Sequence, residues 1–567
     1  MTNLEDLQHE SLEIGAMPII SAFMDRLKLE PLLEVHLGQK RLGRKPKLPT
    51  GQVISAIITN ILIARRPLYG LREWARPYVP EHFGFRTEDV ELLNDDRLGR
   101  ALDRMFAADR ASLMTAVITR AVKTFMIDMK QLHCDTTSVT FSGAYEKQQD
   151  ALAKEQPPVI TFGHNKDYRP DLKQLVYALT VSADGAVPIH HKTYDGNTTD
   201  DQVHIETWST LVDIVGHPHF LYVADSKLCT EQNLRYIATR DGQFLTVLPR
   251  SRSEYTTFSN KMKKGYVVDW EEVRREPAPR GENRDPLVYE AFEGSRSKEG
   301  YRILWYRSSQ KMHLDAKVRL ARIEKAKGRL ERLNERARPF KSEEAALKAV
   351  RNVVKEEKVE RWLHATVETH VGHEFKQTKL GRPTPKTRYR KKEIPFFFIT
   401  YQENGEAIEA DAKMDGIFPL ITNLDQDKLS LKSALDKYKY QPNLEKRNEQ
   451  LKSVYHVRPV LLQNPKRVTG LLFVYFLALL VWALIEREIR QQMKRKKINS
   501  LPLYPELRDC QAPTTDGIFL AVQGVRRHRL ADVKGNALKT FYDSLSPVAE
   551  QCLQLLGVSL EHYGMQK

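Results

Sequence analysis

The 567-residue chain holds 89 Lys and Arg against 73 Asp and Glu, a formal net charge of +16, with 41% hydrophobic and 29% charged residues. This is the composition of a soluble globular protein of several domains, and its basic excess favours a polyanionic partner, most simply nucleic acid. Four scattered cysteines (Cys134, Cys229, Cys510, Cys552) exclude a disulfide framework or a zinc cluster and suit a reducing compartment.

The acidic N-terminus, Met1-Thr2-Asn3-Leu4-Glu5-Asp6, lacks the apolar core of a signal peptide, so a cytoplasmic location is expected. Residues 1–128 read as mostly helical, with apolar periodicity over 19–37, 52–63 and 95–106. The basic turn Lys40-Arg41-Leu42-Gly43-Arg44-Lys45-Pro46-Lys47 lies between the first two, and short helices with a basic loop predict a helical N-terminal DNA-binding domain with Arg44, Lys45 and Lys47 at the phosphates.

From residue 129 the pattern becomes α/β. The run Gln131-Leu132-His133-Cys134-Asp135-Thr136-Thr137-Ser138-Val139-Thr140-Phe141 is rich in β-branched residues and reads as a buried strand with a carboxylate inside it. A buried Asp135 needs a compensating cation, hydrogen-bond network or metal. Strands follow over 175–182 and 187–194, joined by the hairpin turn Asp184-Gly185, then a helix over 201–215. A strand over 220–224 ends at Asp225, and a helix over 231–239 and a strand over 243–248 close the segment. A three-strand meander followed by helix, strand, helix, strand is the order of an RNase H-like fold. In that order the first and fourth strands are neighbours, which brings Asp135 and Asp225 together.

Residues 251–410 read as a large insertion of strands and long charged helices (316–336 and 342–363). Within it, 376–392 is strongly basic without an acid, and Arg382, Arg388 and Arg390 are candidate phosphate contacts. The core is expected to resume with Phe396-Phe397-Phe398-Ile399-Thr400 and to continue over 411–490. A helix opening near Pro442 carries Glu445 and Lys452, seven apart and so two turns along one face. The apolar run 471–485 is about 15 residues, short of the ~20 needed to span a bilayer, and predicts a buried helix and no membrane partner. Residues 491–567 read as a small helical region.

Two carboxylates on adjacent strands and a third on a nearby helix make a hard-oxygen site suited to Mg²⁺ or Mn²⁺. At this point the chain resembles the DDE transposases of bacterial insertion sequences, of the retroviral-integrase-like superfamily, in the IS-four-type branch with a Tyr-Arg-Glu-Lys signature. Tyr438, Gln441, Glu445 and Lys452 fall at the signature's spacings, with Gln441 standing where the signature has arginine. The segments around Asp135, Lys166-Asp167-Tyr168-Arg169, Val223-Ala224-Asp225-Ser226 and Val457-Arg458-Pro459-Val460 carry the same likeness. The resemblance implies that Asp135, Asp225 and Glu445 are catalytic and hold two Mg²⁺ ions, Mn²⁺ substituting. It implies that Tyr438, Gln441 and Lys452 are the DNA-facing signature positions. It also implies cleavage at transposon ends, transfer of the 3′-hydroxyl ends into target DNA, and a homodimer on DNA in the bacterial cytoplasm.

Overall fold

The computed structural model describes residues 8–38, 47–143, 145, 156–164, 166, 169–277, 285–335, 340, 342–454, 462–532, 534 and 536–565. Arg44, Lys45 and the 457–460 segment lie outside the described residues. The chain divides into two units, Met1–Thr246 with Asp436–Lys567, and Val247–Leu435.

The first unit begins with strand β1 (Gln8–Glu13) and helices α1 (Met17–Leu27), α2 (Leu29–Leu37), α3 (Thr50–Ile63), α4 (Leu71–Ala75), α5 (Asp95–Ala107) and α6 (Arg110–Phe125). The single helix expected over 19–37 is broken at Lys28, which takes a left-handed φ of 52° and caps α1. Pro31 explains the break: it has no N–H to donate and its ring clashes with a carbonyl four residues back, so it is tolerated in the first turn of a new helix but not inside a continuous one.

Then come β2 (Gln131–Phe141), β3 (Lys173–Ser182), β4 (Pro188–Tyr194), α7 (His204–Val215), β5 (Leu221–Ala224), α8 (Glu231–Ala238) and β6 (Gln243–Val247). These strands lie in the order β4-β3-β2-β5-β6. The meander is antiparallel, and β2–β5 and β5–β6 are parallel, with α8 as the crossover a parallel pair requires. Gly185 turns the β3–β4 corner at a φ of 84°, a conformation in which a side chain is strained.

The second unit contains α9 (Ser253–Lys263), β7 (Glu271–Glu276), β8 (Leu287–Glu293), β9 (Arg302–Ser308), α10 (Ser309–Asn334), α11 (Glu343–Glu357), β10 (Leu363–Gln377), β11 (Tyr389–Glu403), α12 (Gly405–Ala412) and β12 (Ile417–Thr422). Strands β12, β9, β8 and β7 pair antiparallel in that order. The charged helices α10 and α11 share a core of Ile323, Ala326, Leu330, Val350 and Val353 with the base of the β10–β11 hairpin. Residues 396–400, expected to resume the core, lie instead in β11, and 411–435 also belong to this unit. Three consecutive phenylalanines suggest a buried strand, but a two-stranded ribbon has two faces and Phe396 and Phe398 are exposed on it.

The first unit resumes at Asp436, within α13 (Leu431–Tyr438), and continues with α14 (Gln441–Glu449) and α15 (Pro465–Arg495), followed by β13 (Leu501–Tyr504), β14 (Arg508–Cys510), α16 (Thr515–Ala521), β15 (Arg526–Ala531), β16 (Ala537–Tyr542) and α17 (Pro547–Leu556). By length and composition α15 could cross a membrane, yet its apolar stretch is wholly buried inside the protein. It is the core helix of the unit. The N-terminal helices pack on it rather than forming a domain of their own: a side chain at Gly470 would come within 2.6 Å of the Leu102 carbonyl on α5, and Arg467 pairs with Asp103 at 2.8 Å. An apolar helix of this length needs covering on every side, and α3 and α5 supply part of the cover. The tail is not purely helical either. β15 pairs with β1 and β16 in a three-stranded sheet, a pairing across some 500 residues that local periodicity cannot reveal.

Candidate active site

The parallel register of β2 and β5 runs to Cys134 opposite Ala224, so the next residues, Asp135 and Asp225, stand on neighbouring strands. Strand spacing alone brings their backbones to about 5 Å. Asp135 is inside β2, with 20% of its side chain exposed. Its Oδ1 accepts the Thr136 N–H at 2.8 Å and faces Lys166 Nζ at 3.4 Å, while its Oδ2 accepts from Asn448 Nδ2 at 3.1 Å. Lys166 is held by the Thr136 carbonyl and hydroxyl at 2.7 and 2.8 Å. Asp225 closes β5 and caps the turn Ser226–Leu228, its Oδ1 accepting the Lys227 N–H at 3.0 Å.

Glu445 comes from α14. Gln441, Leu444, Arg447 and Asn448 form the buried stripe of that helix, at the spacing of one helical face, and Glu445 lies exposed at its margin. The helix is fixed to the sheet through that stripe. His133 Nδ1–H donates to Gln441 Oε1 at 2.8 Å, His133 Nε2 accepts from Gln131 Nε2 at 2.7 Å, and Gln441 Nε2 donates to the Cys134 carbonyl at 3.4 Å. That tautomer is neutral, and burial lowers the His133 pKa to about 4. Arg447 donates to the carbonyls of Ala186 and Gly185 at 3.1 and 3.2 Å and pairs with Glu486 of α15 at 2.8 Å, both side chains 5% exposed.

The three acids converge electrostatically on Tyr438 at the end of α13. Burial, and then the charges of Asp225, Glu445 and Asp135, push its phenol up to about 12. The same burial, with Asp135 and Asp225 nearby, holds the Cys134 thiol up at about 12, so it is neither thiolate nor ligand. Among the described residues no three His, Cys, Asp or Glu side chains stand together as a ready-made metal cage. Asp135 is engaged with Lys166 and Asn448, Asp225 with its own turn, and three carboxylates without a cation repel one another. The donor set nonetheless fits a hard cation. All three acids offer oxygen, and the buried Oδ1 of Asn448, beside Asp135, has no hydrogen-bond partner.

The other expected positions are dispersed. Gln441 is buried and its amide is used within the protein, which removes it from the surface where a phosphate would meet it. Lys452 is half-buried on a π-wound turn, Gln450–Val454, that follows α14. The wider winding takes it off the regular face it was expected to share with Glu445. Lys47 is exposed before α3, and Arg382, Arg388 and Arg390 are exposed at the far end of the β10–β11 hairpin. Sequence reasoning gave no role to Lys166, Arg447 or Asn448. Arg447 and Asn448 could have been found from their place on the inward stripe of α14, whereas Lys166 offers no periodic signal.

A family model described as a domain of unknown function, DUF4277, matches residues 9–119. No curated protein matches the chain in sequence. Among solved structures, the piggyBac transposase synaptic complex with hairpin DNA overlaps 52% of this chain and 62% of its own at 10% identity and a TM-score of 0.26. The Mos1 transposase paired-end complex with left transposon end overlaps 36% of this chain and 61% of its own at 11% identity and a TM-score of 0.15. The chain thus spans about three fifths of these transposase chains, and overlaps this partial leave the functional reading to the chain's own strand order and side chains.

Proposed function

We propose that the chain is a metal-dependent DNA transposase of the DDE class, built on an RNase H-like core, with Asp135, Asp225 and Glu445 as its catalytic acids. The observation that supports this best is the pairing of β2 with β5, which sets Asp135 beside Asp225, together with the shared action of both acids and Glu445 on Tyr438. Two Mg²⁺ ions, for which Mn²⁺ can substitute, would be held by these three acids and would supply Lewis acidity at the scissile phosphate. Asn448 and Lys166 fix the orientation of the Asp135 carboxylate, and the backbone of Lys227 fixes that of Asp225. Tyr438, kept a neutral phenol by burial and by the surrounding acids, donates its O–H to a phosphate oxygen at the transposon end. Lys452 and Lys47 add positive charge along the duplex. Water attacks the phosphorus, the P–O3′ bond breaks, and the 3′-oxygen leaves with a proton; that 3′-hydroxyl then attacks a phosphodiester of the target, giving up its proton as the bond from phosphorus to the target's own 3′-oxygen breaks and that oxygen leaves as a hydroxyl. The partners are double-stranded terminal repeats and target DNA, the working form is a homodimer on DNA, and the place is the bacterial cytoplasm.

The test is cleavage of labelled DNA carrying the element's ends, with Mg²⁺, by the native chain and by Asp225→Ala. Nicking at the element boundary that the substitution abolishes is expected. Binding of the ends without cutting under Mg²⁺ or Mn²⁺ would replace the enzyme with a DNA-binding protein of the same fold.

A further inference from the structure

The longest strands of the second unit serve no sheet. β10 and β11 pair residue for residue from Leu363 opposite Glu403 to Gln377 opposite Tyr389, a ribbon of about 50 Å at ~3.4 Å per residue. Its base is packed, with Leu363 and Ile399 buried against α10 and α11. From Glu368 to Phe398 no residue of it is buried. A bare two-stranded ribbon is marginal in water, so its outer part is built for a partner.

Three features choose the partner. The stretch 376–392 carries eight Lys and Arg and no acid. Such a tip repels the same tip on a second copy, and lysines along a strand edge oppose strand-to-strand pairing. Apolar side chains are nevertheless exposed around it, among them Val371, Phe375 and Tyr389, with Leu380 fully exposed at the end. The tip itself is closed: Thr378 donates its N–H and hydroxyl to the Arg388 carbonyl at 3.0 and 2.9 Å, and Thr384 N–H donates to Thr387 Oγ1 at 2.7 Å. This presents Leu380 and Pro383 at the apex, beside Arg382. Basic ribbons with apolar wedges at their tips enter the minor groove, unstack a base step and bend the duplex.

We propose that the β10–β11 hairpin is a DNA-bending arm, its Lys and Arg tracking the phosphates and Leu380 and Pro383 wedging between base pairs from the minor groove. This rests on the preceding reading in taking DNA as the partner, and it is independent of the catalytic acids.

The experiment uses the full chain and a duplex of about 20 base pairs with a dye at each end, roughly 70 Å apart and straight by itself because it is far below the ~150-base-pair persistence length. Energy transfer is expected to rise on binding, reporting a bend in the range of roughly 20–90°. Leu380→Ser with Pro383→Ser should keep affinity within about threefold, since its phosphate contacts remain, yet lose most of that rise. Arg382→Ala with Arg388→Ala and Arg390→Ala should weaken binding and lower the slope of log affinity against log salt by about 3. A wedge variant that bends DNA as the native chain does would overturn the inference, as would an arginine variant with unchanged salt slope. If the native chain cuts transposon ends while both variants bind and bend normally, the arm fails and the enzyme stands. If the native chain binds no DNA at all, both fall.

Discussion

Replacing Arg447 by alanine tests how the helix bearing Glu445 is held. The guanidinium joins three elements: the β3–β4 turn through the carbonyls of Gly185 and Ala186, Gln450 beyond the helix, and Glu486 on α15. Removing one partner of a buried ion pair destabilises by about 3–5 kcal/mol, because the other charge is left in the interior. Glu486 would retain Trp482 Nε1 at 3.2 Å and Arg490 at 3.8 Å, so the lower end, about 3 kcal/mol, is expected. Chemical unfolding followed by fluorescence, with the buried Trp482 as one reporter, measures it. A second variant, Arg447→Met with Glu486→Leu, removes both charges at similar volume and should recover most of the loss. The reasoning is refuted if Arg447→Ala costs under about 1 kcal/mol, or if the double variant is no more stable than the single one.

Other consequences can be measured alongside. Asn448→Ala frees one oxygen of Asp135 and should lower DNA cleavage by about 10–100-fold with little change in melting temperature; unchanged cleavage would reduce Asn448 to a packing residue. Gln441→Arg would introduce the arginine of the resembled signature but bury a charge beside neutral His133, so thermal melting should show a loss of at least about 2 kcal/mol and no gain in cleavage. A variant as stable as the native chain would contradict the placement of Gln441. His190 is buried on β4, and burial lowers its pKa from 6.5 to about 4. The unfolded chain therefore binds a proton on His190 below pH 6.5 that the folded chain refuses until about pH 4. Its contribution, up to roughly 3 kcal/mol, is present above pH 6.5 and lost as the pH falls through that window. His190→Gln does not titrate and should flatten the fall in denaturation midpoint between pH 6.5 and 4; equal slopes would exclude the linkage.

Strands β2 to β6 were legible because each carries a local signal: β-branched residues inside, Asp184-Gly185 at the turn, and helical periodicity between the later strands. Their ends lie within about three residues of expectation, which is ordinary for element boundaries. That Asp135, inside β2, and Asp225, just past the end of β5, stand side by side was legible for the same reason, since strand order determines which strands are neighbours. What stayed hidden depends on distant partners. β15 is charged along its length, Arg526-Arg527-His528-Arg529, and becomes a strand because β1 and β16 complete its hydrogen bonds. Phe396 to Phe398 look like core because hydrophobicity does not say whether a strand has a sheet to join. That Gln441 is buried and bonded to His133 depends on a partner 308 residues away, which local periodicity cannot show.

The interruption of the first unit by residues Val247–Leu435 also sets a schedule. Translation at roughly 5–20 residues per second places about 220 residues, or ~11–44 s, between the emergence of Asp225 and that of Glu445. During that interval the nascent chain has two of the three proposed catalytic acids and none of α15, so the apolar faces of α3 and α5 wait uncovered. The strand β1, made first, waits longest, until β15 leaves the ribosome. A polypeptide released early thus lacks Glu445 and the helix that holds its core together, and on the proposed reading it would be inert.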